Sequence, residues 1–366
     1  MALSTPRLPD FPWDTIAADV ALARSHPGGA CDLSVGTPVD PVPAMARAAL
    51  SGAGDAHGYP TVWGTPELRA AIIDYALRRW SASGLADPNV LPVIGTKELV
   101  GWLPTLLGVR PGDTMVIPAV AYPTYAVGAL MVGARVVTAT CPDDVADESP
   151  VLVWTNSPSN PTGQVDGLGR VRDWVEYARS KGAVLAADEC YGEFGWTAEP
   201  VSVLDALANG GSLEGIIGAY SLSKRSNLAG YRAGFVVGDA GLVKGLLELR
   251  KHLGMMVPTP VQAAMTVLLG DQGHVKAQRA RYSTRRDVLA KSLVAAGFKI
   301  DHSEAGLYLW ATRGEPARTT SHWLAARGII VAPGDFYGPA GSDHVRIALT
   351  ATDERVAAAA ERLAGD

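Results

Sequence analysis

Beyond about Gly36 the chain alternates short apolar runs with longer amphipathic stretches. Apolar runs at 115–118, 135–139, 151–155, 183–187, 216–220 and 233–237 are four or five residues long and rich in Val, Ile, Leu and Ala. That length suits a buried strand better than a buried helix. Between them, stretches such as 167–181 and 241–253 mix charged and apolar residues at helical spacing. Strand and helix taking turns in this way predicts a largely parallel sheet with helices on both faces. Two consecutive helices are then expected at 256–270 and 272–296. After them the pattern changes, with short strands expected at 298–301, 307–311, 329–332 and 345–349 and helices at 319–327 and 352–363. This predicts a second, smaller α/β lobe, and no fixed-period repeat is evident.

Composition narrows the picture. Of 366 residues, 48% are hydrophobic and 19% charged, a globular balance that excludes disorder over most of the length. Forty glycines and 25 prolines favour many turns between short elements and count against a helical bundle. The net charge of −5 comes without a basic stripe, which argues against nucleic-acid binding. Cys31, Cys141 and Cys190 show no C-x-x-C spacing, so neither a disulfide framework nor a metal site is expected, and a reducing cytoplasm is the expected setting. The first residues, MALSTPRLPDFPWD, lack the pattern of a signal peptide. Uncharged runs at 114–134 and 253–270 are broken by Pro118 and Pro123 and by Pro258 and Pro260. Both read as buried segments of a soluble protein rather than membrane spans.

Three segments carry candidate chemistry. The sharpest is Ser221-Leu-Ser-Lys224-Arg-Ser-Asn-Leu-Ala-Gly230-Tyr-Arg232-Ala-Gly234, which lies between two apolar runs. A lysine amine there can form a Schiff base with an aldehyde cofactor. Ser221, Ser223 and Arg232 can hold a phosphate, the arginine through its planar fork. A solvated loop with incidental charges is the alternative. Upstream, Asp188 ends the apolar run 183–187, where open α/β sheets place their ligands. It reads either as the partner of a protonated pyridine nitrogen or as an ordinary helix-capping aspartate. Earlier still, Asn156-Ser-Pro-Ser-Asn160-Pro-Thr-Gly163 is a proline-rich turn whose Asn160 amide can donate to a phenolate oxygen.

Together these segments resemble the class I/II aminotransferases, the fold type I enzymes dependent on pyridoxal 5'-phosphate (PLP), over essentially the whole chain. The resemblance implies a large domain, 36–255, with a mostly parallel seven-stranded sheet. It also implies a smaller α/β domain formed by 256–366 together with the arm 1–35. By the same resemblance Lys224 bonds to the cofactor and shuttles the proton, Asp188 pairs with the pyridine nitrogen, and Asn160 and Tyr191 contact the ring's phenolic oxygen. Gly95-Thr96-Lys97, opening a helix at 98–107, matches the phosphate-cradling turn, for which free N–H groups at a helix start give the physical reason. Tyr122 matches the aromatic stacked on the ring. Tyr59 matches the tyrosine that reaches the phosphate in a neighbouring subunit, which implies a homodimer. Arg346 and Gly36 match the contacts to the substrate α-carboxylate. The implied chemistry is ping-pong amino transfer between amino acids and 2-oxo acids.

Outside these motifs the wording resembles actinobacterial N-succinyldiaminopimelate aminotransferases of lysine biosynthesis, at 11–14, 91–99, 254–258, 306–315 and 332–339. That implies transfer between N-succinyl-LL-2,6-diaminopimelate and 2-oxoglutarate. A long substrate with a second carboxylate needs distal cations, for which Lys97, Arg225 and Arg313 are candidates, each also readable as a solvated surface charge. An aspartate or broad-specificity aminotransferase and a PLP carbon–sulfur β-lyase remain as alternatives. A PLP-binding transcription regulator is disfavoured, since only about 35 residues precede Gly36.

Overall fold

The computed structural model describes residues 8–365. Its largest element is a seven-stranded sheet. From one edge its strands are Val90–Val93, Gly234–Gly238, Ile216–Ser221, Val184–Asp188, Pro150–Asn156, Thr114–Pro118 and Arg135–Ala139. Only Gly234–Gly238 runs against the others, pairing antiparallel with both neighbours. The three central strands are buried on both faces almost throughout, which explains their unbroken apolar spelling. Each of the six strands anticipated in this region is present within a residue or two. The seventh, Val90–Val93, was not anticipated; it contains Pro92, which only an edge position tolerates.

Helices Ala17–Arg24, Ala44–Gly52, Pro66–Trp80 and Thr124–Val132 also went unanticipated. Thr124–Val132 has no charged residue and hence no polar face to reveal a period. The uncharged run at 253–270 forms the helix Thr259–Gly270, with Val261, Ala264, Met265, Leu268 and Leu269 buried in the protein. Among the described residues no helix is long and apolar enough to cross a membrane.

A second sheet, antiparallel throughout, orders Ala332–Pro333, Val345–Ala348, Tyr308–Thr312 and Lys299–Asp301. The single strand expected at 329–332 is in fact two. Ile329–Ile330 pairs with Cys31–Asp32, whereas Ala332–Pro333 edges the four-stranded sheet. Pro333 has no N–H to continue a ladder, so the segment closes at an edge. The parallel pair Cys31–Asp32 with Ile329–Ile330 carries the chain from its N-terminal arm straight toward Gly36.

The helix Thr96–Leu106 begins two residues before the expected 98–107, directly after Gly95, whose φ of 92° a side chain would strain. It is held by helix Ala240–Leu253, from which Arg250, fully buried, donates to both oxygens of Glu98 at 3.2 and 3.1 Å. Removing one partner of a buried ion pair leaves an uncompensated charge. Arg250→Ala should therefore cost about 3–5 kcal/mol in urea unfolding; a loss below about 1 kcal/mol would show that the pair is dispensable.

Candidate active site

Parallel strands that stop together leave a crevice beyond their carboxyl ends. Asp188 and Ser221 close adjoining strands, and Asn156 lies in register with Asp188 on the next one. Asn156 fastens the following turn, donating to the Asp188 carbonyl at 2.8 Å while its Oδ1 accepts from the Asn160 N–H at 2.7 Å. A chain of short-range bonds thus sets Asn160 beside Asp188.

A cavity of about 850 Å³ opens over these strand ends. Gly36, Thr96, Lys97, Tyr122, Asn160, Asp188, Tyr191, Ser221, Ser223, Lys224, Arg232 and Arg346 all line it. Gly95 lies beneath the wall, where an added Cβ would overlap the Arg232 guanidinium. Tyr59 is 96% exposed and is not among the lining residues. Of the three distal cations expected, only Lys97 reaches the cavity. Arg225 is buried elsewhere, bonded to Glu193 at 3.0 Å and to the Leu268 carbonyl at 3.2 Å. Arg313 stacks 4.1 Å over Trp323, near Glu315. Both corrections have one cause: each guanidinium finds an aromatic face and a carboxylate close to its own element.

The sequence reading passed over several residues of the site. Tyr308 sits on the four-stranded antiparallel sheet, its hydroxyl 2.9 Å from that of Tyr191. Tyr125 donates to Asp188 at 2.9 Å. Phe11 and Trp13 from the N-terminal arm form an outer wall, with the Lys97 ammonium 5.6 Å from the Phe11 ring centroid. Tyr308 and the aromatics of 11–14 fall within segments that supported the family resemblance, but no spacing rule marks them as site residues.

The charges are poised. Lys224 donates to the Gly36 carbonyl, and withdrawal from water pushes its pKa below the usual lysine value, with Arg346 and Arg232 adding repulsion against the opposing pull of Tyr308. Asp188 is 8% exposed and accepts from the Tyr125 hydroxyl and, at 3.2 Å, from the Cys190 N–H. Burial raises its pKa despite those bonds, for both donors are neutral. Arg346, 3% exposed, donates to Asn160 Oδ1 at 2.8 Å and to the Ser34 carbonyl at 2.5 Å, and its Nε is buried without a partner. Among the described residues no cluster could hold a metal ion.

A lysine amine whose pKa burial pushes down, a buried carboxylate with no ion-pair partner among the described residues, and a basic, hydroxyl-rich cradle at a helix start fit PLP. The carboxylate suits a protonated pyridine nitrogen, and Arg232 with Ser221, Ser223 and Thr96 suits a phosphate. Fold and cavity together define a fold type I PLP enzyme. Residues 29–363 match the family model for aminotransferases of class I and II, and the chain belongs to that family, whose members depend on PLP. It is 56% identical over 356 residues to a probable aminotransferase, Rv1178, of Mycobacterium tuberculosis, covering 97% of this chain and 85% of that one. It is 52% identical to 4-dedimethylamino-4-oxo-anhydrotetracycline transaminase OxyQ of Streptomyces rimosus, covering 97% and 99%. An LL-diaminopimelate aminotransferase of Dehalococcoides mccartyi is 31% identical, covering 98% and 96%. Among solved structures, an aminotransferase of Neisseria meningitidis superposes with a TM-score of 0.87 at 30% identity, covering 98% and 97%.

A carboxyl group whose folded pKa lies above its unfolded value weakens the fold as pH rises through the interval between the two. In cofactor-free protein, Asp188→Asn should raise the urea midpoint at pH 7 relative to wild type. The gain should shrink as pH falls through the raised pKa of Asp188, below which the wild-type carboxyl is itself neutral. An unchanged or lower midpoint at pH 7 would mean that the buried charge carries no penalty.

Proposed function

We propose that this aminotransferase moves an amino group between N-succinyl-LL-2,6-diaminopimelate and 2-oxoglutarate. The observation that carries the reading is a pair of cations lining one long cavity. Arg346 is enclosed with a free Nε, and Lys97 makes no ion pair among the described residues. A substrate with an α-carboxylate and a second, distant carboxylate answers both. Similarity to enzymes named for LL-diaminopimelate supports the same chemical class.

In this reading Lys224 carries PLP, Asp188 faces the ring nitrogen, and Asn160 and Tyr191 donate to the phenolic oxygen. Tyr122 covers a ring face, while Gly95, Thr96, Lys97 through its backbone, Ser221, Ser223 and Arg232 hold the phosphate. Exposed Tyr59 fits a contact to the phosphate of a neighbouring copy in a homodimer. When bound, the cofactor supplies a ring that accepts electrons from the substrate α-carbon. The protein does the rest. Arg346 and the Gly36 backbone fix the α-carboxylate, which orients the α-hydrogen. Lys224, its basicity lowered by its surroundings, takes that proton and returns it at a different atom. Asp188 keeps the opposite end of the site negative throughout.

Arg346→Ala should impair every amino donor, since each presents an α-carboxylate. Loss of a charged pair in a shielded site costs on the order of 2–5 kcal/mol, roughly thirtyfold to several-thousandfold in kcat/KM. Near-normal values on several donors would remove Arg346 from the site.

The substrate is tested by a donor panel with 2-oxoglutarate as acceptor. N-succinyl-LL-diaminopimelate should exceed aspartate, alanine and aromatic donors in kcat/KM, and Lys97→Met should narrow its lead while sparing alanine. A site with polar groups built for a distal carboxylate can discriminate by roughly 10⁴. If aspartate matches the succinylated donor, a general aminotransferase replaces this reading. The Phe11, Trp13 and Tyr122 rings favour a second one, a bulky polycyclic oxo substrate such as that for which the Streptomyces rimosus relative is named. Preference for such a compound over 2-oxoglutarate would establish it.

A further inference from the structure

Tyr308 belongs to the strand Tyr308–Thr312 and shares a face with Arg346, since Trp310 is Arg346's cross-strand partner and Ala348 is that of Tyr308. It is 3% exposed, yet it lines the cavity. Its side chain is enclosed from three sides. The Tyr191 hydroxyl lies 2.9 Å away, with the two rings at 68°. A Cβ on Gly36 would overlap the Tyr308 oxygen, so the phenol rests directly on the backbone whose carbonyl accepts from Lys224. The Arg346 guanidinium sits over the Tyr308 ring at 4.0 Å from its centroid. The charged groups around the pair are Lys224, Arg346 and Asp188, the Cys190 thiol lines the same cavity, and the neighbouring phenols are Tyr122, Tyr282 and Tyr337.

One of the two hydroxyls must donate to the other. A cation over an aromatic face draws electron density from the ring, which makes a phenol a better donor and a poorer acceptor. Arg346 covers the Tyr308 ring and so favours Tyr308 as the donor. With its oxygen engaged in this way, Tyr191 has its own hydrogen free to point into the cavity.

We propose that Tyr308 is a positioning residue for Tyr191: it donates to the Tyr191 oxygen and thereby aims the Tyr191 hydrogen at the cofactor's phenolic oxygen. The proposal rests on the cofactor placement given above. It joins the four-stranded antiparallel sheet to the cofactor site through one side chain that also packs under the arginine for the substrate carboxylate. Filling that arginine with a carboxylate weakens its hold on the Tyr308 ring, so substrate binding is felt at Tyr191.

The test is a pH titration of the bound cofactor's visible absorption in purified holoenzyme. A donor to the phenolic oxygen draws off negative charge that would otherwise retain the proton shared with the lysine nitrogen, so weakening it raises the midpoint. Tyr308→Phe keeps the ring and its packing, and should raise the midpoint by about half to one pH unit. In a Tyr191→Phe background the same change should move it little, because the residue through which Tyr308 acts is gone. No shift in Tyr308→Phe, or an equal shift in both backgrounds, would overturn the proposal. Loss of cofactor from Tyr308→Phe would also overturn it, by making the hydroxyl a direct binding group. Wild-type protein with no absorption that Lys224→Ala removes would fail the cofactor placement itself and the proposal with it.

Discussion

The site is organised around the carboxylate of Asp188, at the end of the central strand of the large sheet and enclosed by apolar neighbours. Its two hydrogen bonds come from a hydroxyl and a backbone N–H, which steady an ion without neutralising it. A charge so placed is unfavourable unless a cation arrives to meet it. The surrounding parts make sense in relation to that arrival. The same strand ends supply Ser221 and the Asn156 staple, and the turn Asn156 holds presents Asn160 across the cavity.

A second dependence runs between the two sheets. Arg346 comes from the antiparallel sheet, yet it bonds the Asn160 side chain on one side and the Ser34 backbone on the other. Farther out, Arg285 of helix Gly273–Ala295 grips both oxygens of Asp40 at 2.7 and 2.8 Å, four residues past Gly36. The segment 34–40 is thus anchored at both ends by arginines from the C-terminal part of the chain. Lys224 reaches its middle at the Gly36 carbonyl. Arg346, Lys224 and the Gly36 backbone are consequently one mechanical unit.

The outer cavity has a different character. Phe11 and Trp13 come from the N-terminal arm, with Trp13 packed on Phe336 at 5.4 Å. Together with Tyr122 they make an aromatic wall that ends at the Lys97 ammonium. Such a surface accepts a long aliphatic or aromatic body and asks for a negative charge at one point only. The inner half of the cavity is therefore polar and charged, and the outer half largely aromatic.

The sequence by itself determined six of the large sheet's seven strands and named most of the residues that line the inner cavity. Strands buried on both faces must be spelled in apolar residues, and Ser221, Ser223, Lys224 and Arg232 of the cavity lie within one segment of fourteen residues, in which spacing nearly fixes geometry. It also contained a readable start for helix Pro66–Trp80, where Thr65 caps and Pro66 opens the first turn. Thr124–Val132, entirely uncharged, offered no such signal. Tertiary structure alone decided which distant residues meet. Arg225 and Arg313 carry the same charge as Lys97, yet each is turned to an aromatic ring and a carboxylate beside it, and only Lys97 opens to the cavity. Tyr308 reads as one more apolar strand residue until the packing of two sheets brings it between Gly36, Tyr191 and Arg346. Those four positions lie as far as 310 residues apart, and nothing local in the chain encodes the few ångströms that separate them.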